Sequence, residues 1–377
     1  MFTTQSRVEQ SEVRHLTSGN WEVTKVLAYD ESNHNVYFLS TEYSAQRRYL
    51  FSTAHCAFFK ADISPDHQHV VLHCEGPGVP TVVLFSLNNA NYSVILENNT
   101  VLKTALRNKR IQQTEFKTVP IEHFDLPLRI SYPTDFSESQ KYGLLMVVDG
   151  APGSQSVNDR FLLDWDSALV SSDNVIAARL DGRGTGYQGQ RVLQEVHQRL
   201  GTVEVQDHIA AIEYMLKFPY IDRTRIGIFG RGYGGYITLR ILKSAESLVK
   251  CAVAVSPVTD WKFYASAFSE RYLGMPTSND NKYQLSSVLQ NVHVLREHNF
   301  MLVHGTADAN VHFQHSAELI KHLIRVGANY TMQIYPDEGH FLSRNSHQHL
   351  YSSLVTFFRE CLKEDLLLMA QEPEEEE

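Results

Sequence analysis

The chain has 377 residues, 43% of them hydrophobic and 20% charged, a globular composition that excludes a disordered or fibrous protein and leaves room for two domains. A net charge of −9 with no run of Lys or Arg argues against a nucleic-acid surface. No apolar run approaches the ~18–20 residues of a membrane span and Met1 is followed by polar residues, so the chain as written reads as soluble and without a signal peptide.

Residues 1 to 120 read as β. Trp21–Ala28, Val36–Leu39 and Arg48–Phe51 are short runs rich in β-branched and aromatic residues, separated by Asp, Asn and Ser turns. "AYDESNHNVYFLS" at Ala28 is echoed by "DISPDHQHVVLHC" at Asp62, a weak repeat of turn then strand that suits propeller blades, with a β-sandwich as the alternative. Three glycosylation sequons, at Asn91, Asn98 and Asn329, together with Cys56, Cys74, Cys251 and Cys361, make an extracellular setting possible. Such a setting without a targeting segment suggests that the chain lacks its natural N-terminus.

From Tyr142 onwards the strands lose polar alternation. Leu144–Val148, Val175–Ala178, Ile226–Phe229, Ala252–Val255, Met301–Val303 and Met332–Tyr335 are apolar runs of the kind buried on both faces of a sheet. Helical patterns lie between them, at Val203–Lys217, Tyr236–Lys243 and Ser316–Val326. Alternating strand and helix predicts a parallel sheet covered by helices. The chain ends on "EPEEEE" from Glu372, a solvated acidic tail.

Within this region "IGIFGRGYGGY" at Ile226–Tyr236 has two readings. Gly230, Gly232 and Gly235 fit the G-x-G-x-x-G of a dinucleotide site, but the next strand ends at Ser256-Pro257 without the acidic residue that would hold a ribose. The same letters are one residue from G-x-S-x-G, the nucleophile elbow of α/β hydrolases, with Gly232 in the serine's place. That fold requires an acid and then a histidine on later loops. "HGTADAN" places Asp308 after the strand at Met301–Val303, and "PDEGH" places His340 after the strand at Met332–Tyr335. A loop Asp or His alone is more often structural; three matching loops in the required order favour the hydrolase. Glycine keeps the elbow's backbone and removes its chemistry, since it offers no nucleophile.

Longer motifs carry a family resemblance: "LDGRGTGYQG" at Leu180, "RLGTVEVQD" at Arg199, "ERYLGMP" at Glu270 and "HGTADANVHFQ" at His304. They resemble the prolyl oligopeptidase clan, dipeptidyl peptidase IV branch, and within it the enzymatically inactive members. The resemblance implies an α/β-hydrolase domain (residues 121–366) preceded by the C-terminal part of a β-propeller (residues 1–120), with an acidic tail at 367–377. It also implies a non-enzymatic role without cofactor or metal: the extracellular part of a single-pass type II plasma-membrane protein, an auxiliary subunit of Shal-type (A-type) voltage-gated potassium channels. A homodimer, or a heterodimer with related dipeptidyl peptidase-like subunits, is implied as well.

Carried over by position, Gly232, Asp308 and His340 are the degenerate triad and Asp149 occupies an oxyanion-stabilising position, where a carboxylate would repel the developing charge. Tyr233, Tyr264 and Asn310 match pocket positions, Phe268 departs from the pattern, and Cys251 with Cys361 matches a family disulfide. The segment between Phe51 and Cys56 is shorter than in the branch, which leaves Cys56 without its usual partner, and so short a propeller should show free strand edges. A serine-type peptidase with another nucleophile, or a general adhesion domain, are the competing functional classes.

Overall fold

The computed structural model describes residues 17–31, 35–48, 56–89, 91–245 and 247–364. Residues 49–51 of the strand expected at Arg48–Phe51, and all of the acidic tail, lie outside the described residues. The chain forms two compact units: Met1–Asn99 with the returning segments Asp159–Phe161 and Tyr187–Arg191, and the remainder.

In the first unit β1 (Val23–Asp30) and β2 (Asn35–Ser40) pair antiparallel. A four-stranded antiparallel meander follows, made of β3 (Phe58–Ile63), β4 (His69–Gly76), β5 (Thr81–Ser86) and β6 (Ser93–Glu97) in that order. Period-2 alternation sets its buried face. Phe59, Ala61, Val70 and Leu72 point inward with Leu39, while Lys60 between two of them is exposed. The turn between β3 and β4 is built by Asp66, whose carboxylate accepts from the Gln68 N–H at 3.1 Å. Neither sheet closes on itself, as expected for part of a propeller.

Cys56 does have a partner, contrary to expectation: it forms a disulfide with Cys74. Antiparallel pairing places Cys74 opposite Phe59 and brings the segment just before β3 alongside β4. The two Cα atoms stand 5.7 Å apart, within bridging range.

The second unit is an eight-stranded sheet in the order β14-β13-β12-β11-β9-β10-β8-β7. Strands β7 (Gln113–Ile121) and β8 (Phe124–Tyr132) form a hairpin, and β8 also runs antiparallel to β10 (Val175–Leu180). The others are parallel: β9 (Tyr142–Val148), β11 (Ile221–Arg231), β12 (Cys251–Val255), β13 (Asn299–Gly305) and β14 (Thr331–Tyr335). Helices α1 (Thr100–Leu106), α2 (Asp166–Ser172), α3 (Gln190–Leu193), α4 (Val203–Met215) and α5 (Tyr233–Ser244) punctuate its first part. They are followed by α6 (Ser266–Leu273), α7 (Asp280–Ser286), α8 (Gln314–Val326) and α9 (Arg344–Leu362). Alternate residues of β9 feed two cores. Leu144 and Met146 join Ile212 of α4 and Ile237 of α5 on one face, whereas Leu145 joins Trp165, Leu354 and Phe358 on the other. Burial on both faces accounts for strands without polar alternation.

The boundary expected at residue 120 falls inside β7, which pairs along its length with β8, and the compact units part at Asn99–Thr100. After helix α1, β7 has the same β texture as the blade strands, and only pairing tells them apart.

Candidate functional site

The site is assembled where β9, β11, β13 and β14 end. Strand β11 runs to Arg231, α5 begins at Tyr233, and Gly232 between them holds φ 57° and ψ −114°. This is a strand–turn–helix corner in a backbone region that only glycine adopts readily. Its tightness shows at Gly230 and Gly234: a Cβ on the first would lie 2.1 Å from the Gly234 carbonyl oxygen, and one on the second 2.0 Å from that of Val148. At Gly232 itself there is room, and a Cβ there would meet only His340, at 3.6 Å from Cε1 and Nε2.

Asp308, buried in the loop after β13, accepts from the N–H groups of Asn310 (2.9 Å) and Val311 (2.8 Å) through Oδ1. Its Oδ2 accepts from Nδ1 of His340 at 2.8 Å, in the loop after β14. A carboxylate accepts only, so Nδ1 carries the proton and Nε2 presents a lone pair towards Gly232. Desolvation pushes Asp308 up, but the hydrogen bonds from His340 and Val311 outweigh it and hold its pKa below the usual range. His304, fully buried, stands 3.6 Å from Asp308 Oδ2 and is kept neutral-leaning chiefly by burial.

The other positions named from sequence gather around this pair. The Tyr233 ring lies 5.6 Å from that of Trp261, which lies 5.6 Å from Tyr264 and 5.3 Å from Phe268. The Tyr264 hydroxyl donates to Asn310 Oδ1 at 3.4 Å, joining the aromatic cluster to the Asp308 loop. Asp149 follows β9, and its carbonyl lies against the elbow, 3.1 Å from a Cβ placed on Gly234. The Asp149 side chain reaches solvent, yet neighbouring protein strips enough water to raise its carboxyl pKa, opposed by the Ala151 N–H. Away from the site, Cys251 and Cys361 are joined as a disulfide between β12 and α9, and Asn91, Asn98 and Asn329 are all exposed.

Two residues escaped the sequence reading. Arg231 donates through Nη2 to the His340 carbonyl oxygen and lays its guanidinium 5.0 Å from the centre of the Phe341 ring, tying the elbow to the histidine loop. Glu204 on α4, fully buried, accepts from the Tyr233 hydroxyl and from the Gly201 and Thr202 N–H groups at 3.0 Å each. Both act across more than 25 positions of sequence (29 from Glu204 to Tyr233, 109 from Arg231 to His340), so no local spacing announces them. Among the described residues no group of three or more His, Cys, Asp or Glu is placed to hold a metal, and no helix is long and apolar enough to cross a membrane.

An eight-stranded, mostly parallel sheet that carries a sharp strand–helix corner with an Asp–His pair facing it defines the α/β-hydrolase class. Residues 161–365 match the prolyl oligopeptidase family and residues 1–81 match the dipeptidyl peptidase IV N-terminal region. The chain belongs to the prolyl oligopeptidase family. Over its whole length it is 52% identical to Inactive dipeptidyl peptidase 10 of Mus musculus, of which it covers 49%. It is 34% identical to Dipeptidyl peptidase 4 of Bos taurus, over 92% of this chain and 48% of that one. The crystal structure of Porphyromonas gingivalis dipeptidyl peptidase 4 superposes with a TM-score of 0.88 at 33% identity, over 93% of this chain and 52% of that one. The chain thus spans about half the length of the curated relatives it matches.

Proposed function

We propose that this chain is a non-catalytic dipeptidyl peptidase-like protein: the extracellular part of an auxiliary subunit that modulates trafficking and gating of Shal-type voltage-gated potassium channels. The observation that carries the inactive reading is the empty corner in front of His340. In this reading Gly232 occupies the nucleophile position, Asp308 the acid and His340 the base. His340 has a lone pair aimed at a residue with no proton to give, and without a nucleophile no acyl-enzyme forms. Loss of the serine alone costs about 10⁶ in turnover in a serine peptidase that keeps its other residues. Asp149 adds a second lesion, because a carboxylate beside the elbow repels a developing oxyanion. Tyr233, Tyr264 and Asn310 are then remnants of a substrate pocket whose packing outlived its chemistry.

Similarity over the whole chain to a relative named inactive supports the same conclusion. The channel partner, the plasma-membrane location outside the cell and dimerisation with itself or with related subunits come from that resemblance and form the finer part of the proposal.

Two experiments separate its parts. A fluorophosphonate probe should label no residue near the elbow, and a mapped adduct there would overturn the inactive reading. Displayed on the cell surface behind a single-pass type II anchor beside a Shal-type channel, the chain should change surface density and inactivation rate. An unchanged current would remove the channel role and leave the inactive fold standing.

A further inference from the structure

The four-stranded sheet ends on a strand that is open to solvent along its whole length. All five residues of β6 are exposed, with Val94 at 38%, Ile95 at 66% and Leu96 at 54%. Its inner side pairs with β5, and no strand among the described residues pairs with its outer side. "SVILE" is apolar on both faces and carries neither lysine nor proline, the devices that usually blunt a free edge. A register shift between Val83↔Ile95 and Val82↔Glu97 and the charge of Glu97 disturb only its end. A short, β-prone, nearly uncharged edge of this kind invites strand addition by another chain.

Both ends of that strand carry a glycosylation sequon. Asn91, Tyr92 and Ser93 lead into it, and Asn98, Asn99 and Thr100 follow it, so neither sequon holds a proline at its middle position. Asn91, Ser93, Asn98 and Thr100 are all exposed. In the two turns the Tyr92 N–H donates to the Asn89 carbonyl at 3.0 Å, and Asn99 Nδ2 donates to the Pro80 carbonyl at 2.8 Å. The two asparagines are seven residues apart, about 23 Å of extended chain, so they bracket the edge from its two ends.

We propose that Asn91 and Asn98 both carry N-linked oligosaccharides and that this pair of glycans closes the β6 edge to strand pairing. This deepens the extracellular reading and rests on it. The modification joins each side-chain amide nitrogen to the anomeric carbon of a lipid-diphosphate-linked oligosaccharide. The bond from that carbon to the diphosphate oxygen breaks, and the lipid diphosphate and the amide proton are released. A bulky, hydrated chain at each end of β6 excludes an incoming strand without altering the blade's own ladder.

The test is secretion of the chain from a glycosylating cell line, with glycopeptide mass spectrometry at all three sequons and light scattering to follow self-association. Occupied Asn91 and Asn98 are expected, together with a shift to larger oligomers in the double variant Asn91→Gln/Asn98→Gln. Adding Ile95→Lys to that variant should reverse the shift, because it charges the edge directly. The variant Ser93→Ala/Thr100→Val removes both acceptor motifs with the asparagines intact and should behave as the double Gln variant does. Bare Asn91 and Asn98, whatever the occupancy of Asn329, would overturn the proposal and leave the extracellular reading standing. Occupied sites whose removal leaves self-association unchanged would overturn the shielding role.

Discussion

Gly232 is the residue on which the proposed inactivity turns, and its backbone makes a prediction independent of chemistry. At φ 57° and ψ −114° any L side chain is strained, although the space in front of it is open to 3.6 Å. Returning a side chain there therefore costs backbone energy and not a clash, about 1–3 kcal/mol for a residue held in such a region. Gly232→Ala and Gly232→Ser should destabilise equally in chemical denaturation, and a much larger loss for serine would mean that the corner is tighter than it looks. On the proposed reading of Asp149 as a second lesion, Gly232→Ser should still release no dipeptide from a chromogenic substrate; robust turnover would refute that reading of Asp149. Glycine adopts this backbone without that cost.

At the level of elements, α9 is fastened to the sheet in three ways. Phe358 and Leu354 pack in the second core, Arg225 Nε donates to the Leu362 carbonyl at 2.8 Å, and Cys361 is bonded to Cys251. The disulfide closes a sequence separation of 110 residues, for which chain entropy gives about 4–5 kcal/mol of stabilisation. Cys251→Ala/Cys361→Ala should lower stability by roughly that amount, read from denaturant midpoints at unchanged m-value. A loss below about 1 kcal/mol would show that packing and Arg225 alone dock the helix.

What sequence could and could not tell follows the same division. The β/α alternation was legible because burial on both faces leaves an apolar signature in each strand. Asp308 and His340 were legible because each follows its strand within a few residues. Arg231, Glu204 and the Cys56–Cys74 bond were not, since each depends on a partner that only folding brings near. The edge of the hydrolase unit was missed for a related reason, because β7 is half-exposed like a blade strand and belongs to the large sheet only through its pairing with β8.

For the whole molecule, buried ionisable groups pull stability in opposite directions as pH falls. Asp181, nearly fully buried at the end of β10, is raised to about 6 by desolvation, although Ser156 and Val157 donate three hydrogen bonds to it. A raised folded pKa means stability that is complete below the unfolded value of 3.8 and lost as pH rises through about 6, so acidification strengthens this part of the fold. His315 behaves oppositely. Burial lowers it to about 4, its Nδ1 accepts from the Thr259 N–H at 3.1 Å, and its contribution is complete above 6.5 and lost as pH falls towards 4. His208 and His304, both fully buried and lowered chiefly by desolvation, act in the same direction as His315.

Between pH 7.5 and 4.5 the Asp181 effect is a gain of about 2 kcal/mol and the His315 effect a loss of about 3 kcal/mol, at ~1.4 kcal/mol per pH unit. Asp149 and Glu204, raised by desolvation like Asp181, act with it, while Asp308, held low by its hydrogen bonds against desolvation, acts with the histidines, so each group's part is read from its own variant. Asp181→Asn removes the opposing gain and should fall more steeply. His315→Asn keeps an acceptor for Thr259, removes a titrating group and should fall less steeply. Thermal midpoints of the three proteins across the range decide it. Parallel curves would mean that neither buried group governs the acid response.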